Sequence, residues 1–203
     1  MIEPPPKDEA RPQRHLVRGS AWSLGIRWSV RLTGLVSTVV LARLLTPADY
    51  GVMAIAMLIV GTVEILTQTG QYDVIVRHPN PTREHYDSVW TVTLLLSIGL
   101  GLIIWVLMPQ ATAYFHEPRA RVVVEVLAIR TMLFGLQNVG IVNFSRQLNF
   151  QRQFYFTVAP EAIGFVATIV SACVLRNYWA LVIGLMAQRI SLVVLSYALD
   201  SYR

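Results

Sequence analysis

The feature that most restricts this chain is a repeated one. Six apolar runs of about twenty residues are separated by short stretches of Pro, Gly and charge. They fall at roughly Ser20–Leu45, Tyr50–Val76, Ser88–Met108, Val122–Phe144, Phe156–Leu175 and Tyr178–Leu199. At about 1.5 Å of rise per residue, each is long enough to cross a hydrocarbon layer about 30 Å thick with some tilt. A chain built this way folds as an all-α integral membrane protein, because only helices satisfy their backbone polar groups within a single segment in lipid. Charged residues make up 14% of the chain, well below the roughly one quarter of a soluble domain.

The formal net charge is +5. Nucleic-acid binders gather such charge into patches on a polar chain. Here the arginines punctuate apolar segments, which excludes nucleic acid as the expected partner and points to membrane lipids. Residues 1–18, "MIEPPPKDEARPQRHLVR", are Pro-rich and charged, without the apolar core of a signal peptide, and read as a disordered cytoplasmic tail. Residues 19–199 then form one six-helix bundle, and 200–203 its cytoplasmic end.

Loop charge sets the orientation. With the N-terminus inside, the cytoplasmic side holds Lys7, Arg11, Arg14, Arg18, Arg77, Arg83, Arg146, Arg152 and Arg203. The other side holds only Arg43, Arg119, Arg121 and Arg176. The segment "SRQLNFQRQF" is amphipathic and reads as a short interfacial helix. "TPAD", Thr46 to Asp49, reads as a tight outer turn: Pro47 cannot continue the first helix, and Asp49 is suited to cap the second. Pro160 marks either a kink or the first turn of the fifth helix.

Charges inside the spans are the strongest pointers to function. Arg27 and Arg31 lie in the first helix, Arg130 in the fourth and Arg189 in the sixth; Glu64, Glu125 and Glu161 also fall within spans. Each ionisable group at the bilayer centre costs about 3 kcal/mol, so four lipid-facing arginines would cost on the order of 10 kcal/mol. They must therefore meet partners or water. One reading pairs Arg27 or Arg31 with Glu64, Arg121 with Glu125 and Arg189 with Glu161, or lets side chains near the helix ends snorkel to the interface. The other has Arg27 and Arg31 line a water-filled cavity. Ser20, Ser23, Arg27, Arg31, Gly34 and Thr38 recur every three or four residues along one face, and two cations four residues apart repel each other. Guanidinium surplus in a cavity suits an anionic, phosphate-bearing ligand.

The remaining constellations carry little chemistry. His15, His78, His85 and His116 sit in the tail or loops without carboxylate or cysteine at metal spacing, and the lone Cys173 excludes an intrachain disulfide. No metal or cofactor is expected, and a membrane-embedded enzyme would need a tighter cluster than Asp73, His78, His85 and Asp87 supply.

The stretch "LARLLTPADYGVMAIA" closely resembles the first helix-turn-helix signature of the oligosaccharide flippases, the polysaccharide exporters of the multidrug/oligosaccharidyl-lipid/polysaccharide superfamily, where "ARLLxPxDYG" joins helices one and two. "GSAWSLGIRW", "QTGQYDVIVR", "YFHEPRARVVVEVLAIRTMLFGLQNV", "NFSRQLNFQRQF" and "YWALVIGLMAQRISLVVLSY" follow in the family's order, so the resemblance spans about residues 18–199. It implies a bacterial inner-membrane protein, not an enzyme, that moves a polyprenyl-diphosphate-linked oligosaccharide outward by alternating access. It also implies that Arg27 and Arg31, on helix one, meet the diphosphate; from their own places in the spans, Arg130 and Arg189 are expected to join them, with Glu64, Glu125 and Glu161 as charge partners. The family pairs two six-helix bundles. This chain matches only the N-terminal one, so a longer protein, a second copy or a second half-protein is expected to supply the other. A non-transporting scaffold of a polysaccharide-assembly complex is the alternative expectation.

Overall fold

The computed structural model describes residues 10–65, 82–142 and 150–199, with the side chains of 1–24, 26, 27 and 150 outside that description. Six α-helices and one short 3-10 turn make up these residues, and no strand occurs among them. The helices are α1 (Ala10–Leu44), α2 (Pro47–Glu64), α3 (Arg83–Tyr114), α4 (Arg119–Phe134), α5 (Phe150–Leu175) and α6 (Trp179–Leu199). Four of them, α2, α3, α5 and α6, are long and apolar enough to cross a membrane. α4 has 16 residues, and in α1 arginines at 27, 31 and 43 interrupt the apolar run.

Several boundaries differ from the sequence expectation. α1 starts at Ala10, inside the stretch read as disordered tail. α3 begins at Arg83, capped by Thr82 and His85, and continues through Pro109 to Tyr114. The Pro-rich loop expected after the third span is therefore partly helical. Thr112 Oγ1 donates to the carbonyls of Met108 and Pro109, answering backbone acceptors beside the proline. Pro160 lies inside α5, so it does not mark the first turn, and the helix continues through it. Phe150–Phe154, expected as the end of a separate interfacial helix, belongs to the start of α5; residues 143–149 lie outside the described residues. So do 66–81, and with them the expected second half of helix two.

The largest correction concerns the fourth helix, which ends at Phe134 instead of continuing to Phe144. Gly135 is the C-cap. A Cβ there would stand 2.7 Å from Leu94 Cα and 3.0 Å from Ser97 Cβ, so glycine permits the close approach of this end of α4 to α3. The chain then turns through buried Gln137 and Asn138. Non-helical backbone at this depth needs partners from the protein, and it finds them. Asn138 N donates to Ser196 Oγ at 3.0 Å, Gly140 N donates to Asn138 Oδ1 at 2.9 Å, and Tyr197 Oη donates to the Leu136 carbonyl at 2.8 Å.

Packing follows a chain of neighbours: α1 lies on α5, α5 on α6, α6 on α4, and α4 on both α2 and α3. The main core joins Val52, Ala56 and Val60 of α2, Leu100 and Ile104 of α3, and Val123, Val124 and Leu127 of α4. A smaller one holds Leu41 and Leu45 against Ala172 and Ala180. Lipid offers little drive for helices to associate, so small residues that allow close approach carry weight. Gly164 and Gly184 do this for α5 and α6: a Cβ on Gly164 would lie 2.8 Å from Gln188 Cβ and 3.1 Å from the Gly184 carbonyl oxygen. Outward, Leu95, Leu102, Trp105 and Val106 of α3 are exposed, a face suited to acyl chains. The chain is a multi-pass α-helical membrane protein.

Candidate functional site

The turn between α1 and α2 is built residue by residue. Thr46 takes an extended conformation (φ −84°, ψ 157°), as a residue before proline does. Pro47 occupies the first helical turn, where its missing N–H costs nothing. Thr46, not Asp49, is the N-cap. Asp49 completes a capping box from the third helical position, its Oδ2 accepting from Thr46 N at 3.0 Å and from Thr46 Oγ1 at 2.6 Å. Its other oxygen accepts from Tyr178 N at 3.2 Å. One buried carboxylate thus fastens the α1–α2 turn to the α5–α6 turn. In the latter, Arg176 adopts φ 50° and Asn177 Oδ1 caps α6 by accepting from Trp179 N at 3.1 Å.

Below that fastening α1 leans on α5 and makes no extended contact with α2. The space between them is a groove of about 500 Å³, walled by α1 and α2 and floored by α5 and α6. Val30, Thr33, Gly34 and Ser37 line its α1 side; Tyr50, Met53 and Met57 line its α2 side. Its floor carries one ionisable group, Glu161, whose Oε1 accepts from Gln188 Nε2 at 2.6 Å.

The intramembrane charges distribute differently from the expected pairings. Glu64 pairs with Arg130 (Nη1–Oε1 3.1 Å) and also accepts from Thr131 Oγ1 at 3.0 Å, with side-chain exposures of 29% for Glu64 and 14% for Arg130. It does not pair with Arg31, because α1 lies on α5 instead of α2. Glu161 meets Gln188 and not Arg189. Successive residues on a helix point about 100° apart, so Gln188 faces α5 while the Arg189 guanidinium turns to α4 and lies over the Phe134 ring, 5.2 Å from its centroid. Arg121 and Glu125 do pair, at 3.6 Å and half-exposed.

Arg31 is exposed and lies to one side of the groove-lining face, which shares only Gly34 with the expected cationic stripe. The side chain of Arg27 lies outside the described residues. The three described arginine side chains are therefore not gathered in one place: Arg130 and Arg189 stand at the α2–α4–α6 junction, and Arg31 on α1. Among the described residues no three His, Cys, Asp or Glu side chains converge on a metal position. Outside the spans, Arg119 grips Glu117 through two contacts, 2.7 and 3.1 Å, and this hydrogen bonding holds the Glu117 carboxyl below its usual range.

The sequence reading missed Thr33, Ser37, Tyr50 and Phe165 as groove residues. Thr33 and Ser37 are four apart on α1, immediately beside the arginine stripe, and that spacing was the available signal.

Comparison with known proteins gives the chain its context. Residues 40–203 match the family model described as polysaccharide biosynthesis protein. The chain is 23% identical over 190 residues to the succinoglycan biosynthesis transport protein ExoT of Rhizobium meliloti (strain 1021), covering 92% of this chain and 38% of that one. It is 19% identical over 187 residues to an uncharacterized membrane protein in the cps region of Klebsiella pneumoniae, covering 92% and 39% respectively. It thus spans about two fifths of the length of these curated relatives. No solved structure matches. With the match covering most of its length, the chain belongs to the polysaccharide biosynthesis protein family.

Proposed function

We propose that this chain is one bundle of a flippase that carries a polyprenyl-diphosphate-linked oligosaccharide across the bacterial inner membrane, with its N-terminus in the cytoplasm. The observation that carries this reading is the open groove between α1 and α2 in a membrane bundle of a polysaccharide biosynthesis family. A cleft with one side unfilled needs a second bundle, from the same longer protein or another copy, to close it. The chain binds and moves its substrate without changing a covalent bond, so it is not an enzyme in this reading.

Arg27 and Arg31 are the contacts proposed for the diphosphate. Arg189 adds positive potential at the α2–α4–α6 junction, where Arg130 is paired with Glu64. The test is the sidedness of the lipid-linked saccharide in cells lacking the gene. In vesicles of either orientation, the saccharide should stay on the cytoplasmic leaflet and external polymer should disappear. Unchanged sidedness would overturn the reading. Arg27→Ala with Arg31→Ala in the full-length protein should reproduce much of the defect.

One observation favours a second reading, a non-transporting scaffold of a polysaccharide-assembly complex in which the arginines are structural. Arg130 is already neutralised by Glu64. If Arg130→Glu with Glu64→Arg restored polymer production while Arg27→Ala with Arg31→Ala had no effect, the scaffold reading would stand.

A further inference from the structure

We infer that the groove between α1 and α2 is a subsite for the uncharged, hydroxyl-bearing sugar portion of the substrate, held by Glu161, Gln188, Thr33, Ser37 and Tyr50. The inference rests on the flippase reading and gives the groove a role separate from that of the arginines.

Unsatisfied polar groups point to such a ligand. Serines and threonines in these helices commonly satisfy themselves by donating to the carbonyl four residues back, as Thr38, Thr62, Thr93, Ser97, Thr157 and Ser171 do. Thr168, on the groove floor, donates to Gly164 in the same way. Thr33 and Ser37 break the pattern, as neither hydroxyl has a hydrogen-bond partner among the described residues. The Tyr50 hydroxyl, on the facing wall, is buried and likewise lacks one. Glu161 Oε1 accepts one bond from Gln188, which leaves Glu161 Oε2 and Gln188 Oε1 open as acceptors.

An acyl or isoprenoid chain could fill the groove but would leave every one of these groups unanswered. A phosphate would face a carboxylate, because among the described lining residues Glu161 is the only ionisable side chain apart from the tyrosine. A polyol matches both kinds of group, since each of its hydroxyls donates and accepts. Phe165 and the methionines 53 and 57 supply apolar surface for the C–H faces of a sugar ring. The floor owes its shape to Gly164, which lets Gln188 lie against α5 and reach Glu161.

The test uses the full-length protein in lipid nanodiscs with three radiolabelled probes below their micellar concentrations: dodecyl maltoside, dodecyl phosphate and dodecanol. Saturable maltoside binding, at least tenfold tighter than dodecanol, is expected, because a site built to bond hydroxyls discriminates strongly against analogues lacking them. Glu161→Ala with Gln188→Ala should weaken it about tenfold. Thr33→Val with Ser37→Ala should weaken it severalfold, and this pair removes no hydrogen bond among the described residues, so it remains informative if the first pair fails to fold. Dodecanol binding as tight as the maltoside, with neither variant pair mattering, would overturn the inference in favour of an apolar chain. Displacement of the maltoside by dodecyl phosphate at lower concentration would overturn it in favour of the anion. Loss of sugar binding with sidedness still dependent on the gene sinks this inference alone. Sugar binding that persists when sidedness does not depend on the gene sinks the flippase reading and leaves a saccharide subsite.

Discussion

Two carboxylates inside the bundle are answered in opposite ways. Glu64, at the end of α2, meets a cation and a hydroxyl from α4 and is closed off. Glu161, in α5, meets a neutral amide from α6 and looks into an open groove. A largely buried ion pair is costly to break, because either partner alone would be left uncompensated. A carboxylate–amide pair keeps acceptors in reserve. The arrangement around Glu64 therefore serves the integrity of the α2–α4 contact, and that around Glu161 leaves room for exchange.

The hardest way to break this contrast is to remove the floor on which one side depends. Gly164→Leu would push four carbons into Gln188 and the α6 backbone. Overpacking at a helix crossing should cost about 3 kcal/mol or abolish folding, read as loss of the monodisperse peak in detergent or a collapsed melting temperature. Next in size is the closed pair. Glu64→Ala and Arg130→Ala should each cost about 2 kcal/mol, below the range for fully buried pairs because both side chains keep some exposure. The double variant should cost clearly less than their sum in a double-mutant cycle measured by denaturant titration. Thr46→Ala, which removes a cap but neither carboxylate, should cost about 1 kcal/mol by the same titration. The smallest effect sharpens the comparison most. Glu161→Gln preserves an acceptor for Gln188, so stability should move by less than about 0.5 kcal/mol. Glu64→Gln, which strips Arg130 of its counter-charge, should cost measurably more. Equal costs for the two amide substitutions would erase the distinction between a closed and an open carboxylate.

The architecture was legible because membrane helices announce themselves by length and composition, and the turn at Thr46–Pro47 by its chemistry. Helix ends were less so. α4 ends at its C-cap Gly135, where the chain turns to tertiary partners on α6 that no local pattern records, and Pro109 and Pro160 sit within helices where propensity argues for ends. The functional reading from charge was only partly legible. Period and position put arginines and glutamates in the spans, but which meets which depends on helix order, and α1 packing on α5 placed Arg31 beyond reach of Glu64. The groove was hidden for a related reason: its polar lining is spread one or two residues at a time over four helices.

The tie from Asp49 to Tyr178 has a mechanical consequence. It fixes α1 at one end, whereas the helix runs 35 residues, or about 50 Å. A rotation of about 10° about the turn would carry Ala10 about 9 Å sideways while leaving Thr46 almost still. α1 is thus proportioned as a lever with its fulcrum at the capped turn. Small rearrangements near Tyr50 would be magnified along the helix, with Arg27 and Arg31 carried on its middle, up to about half way out.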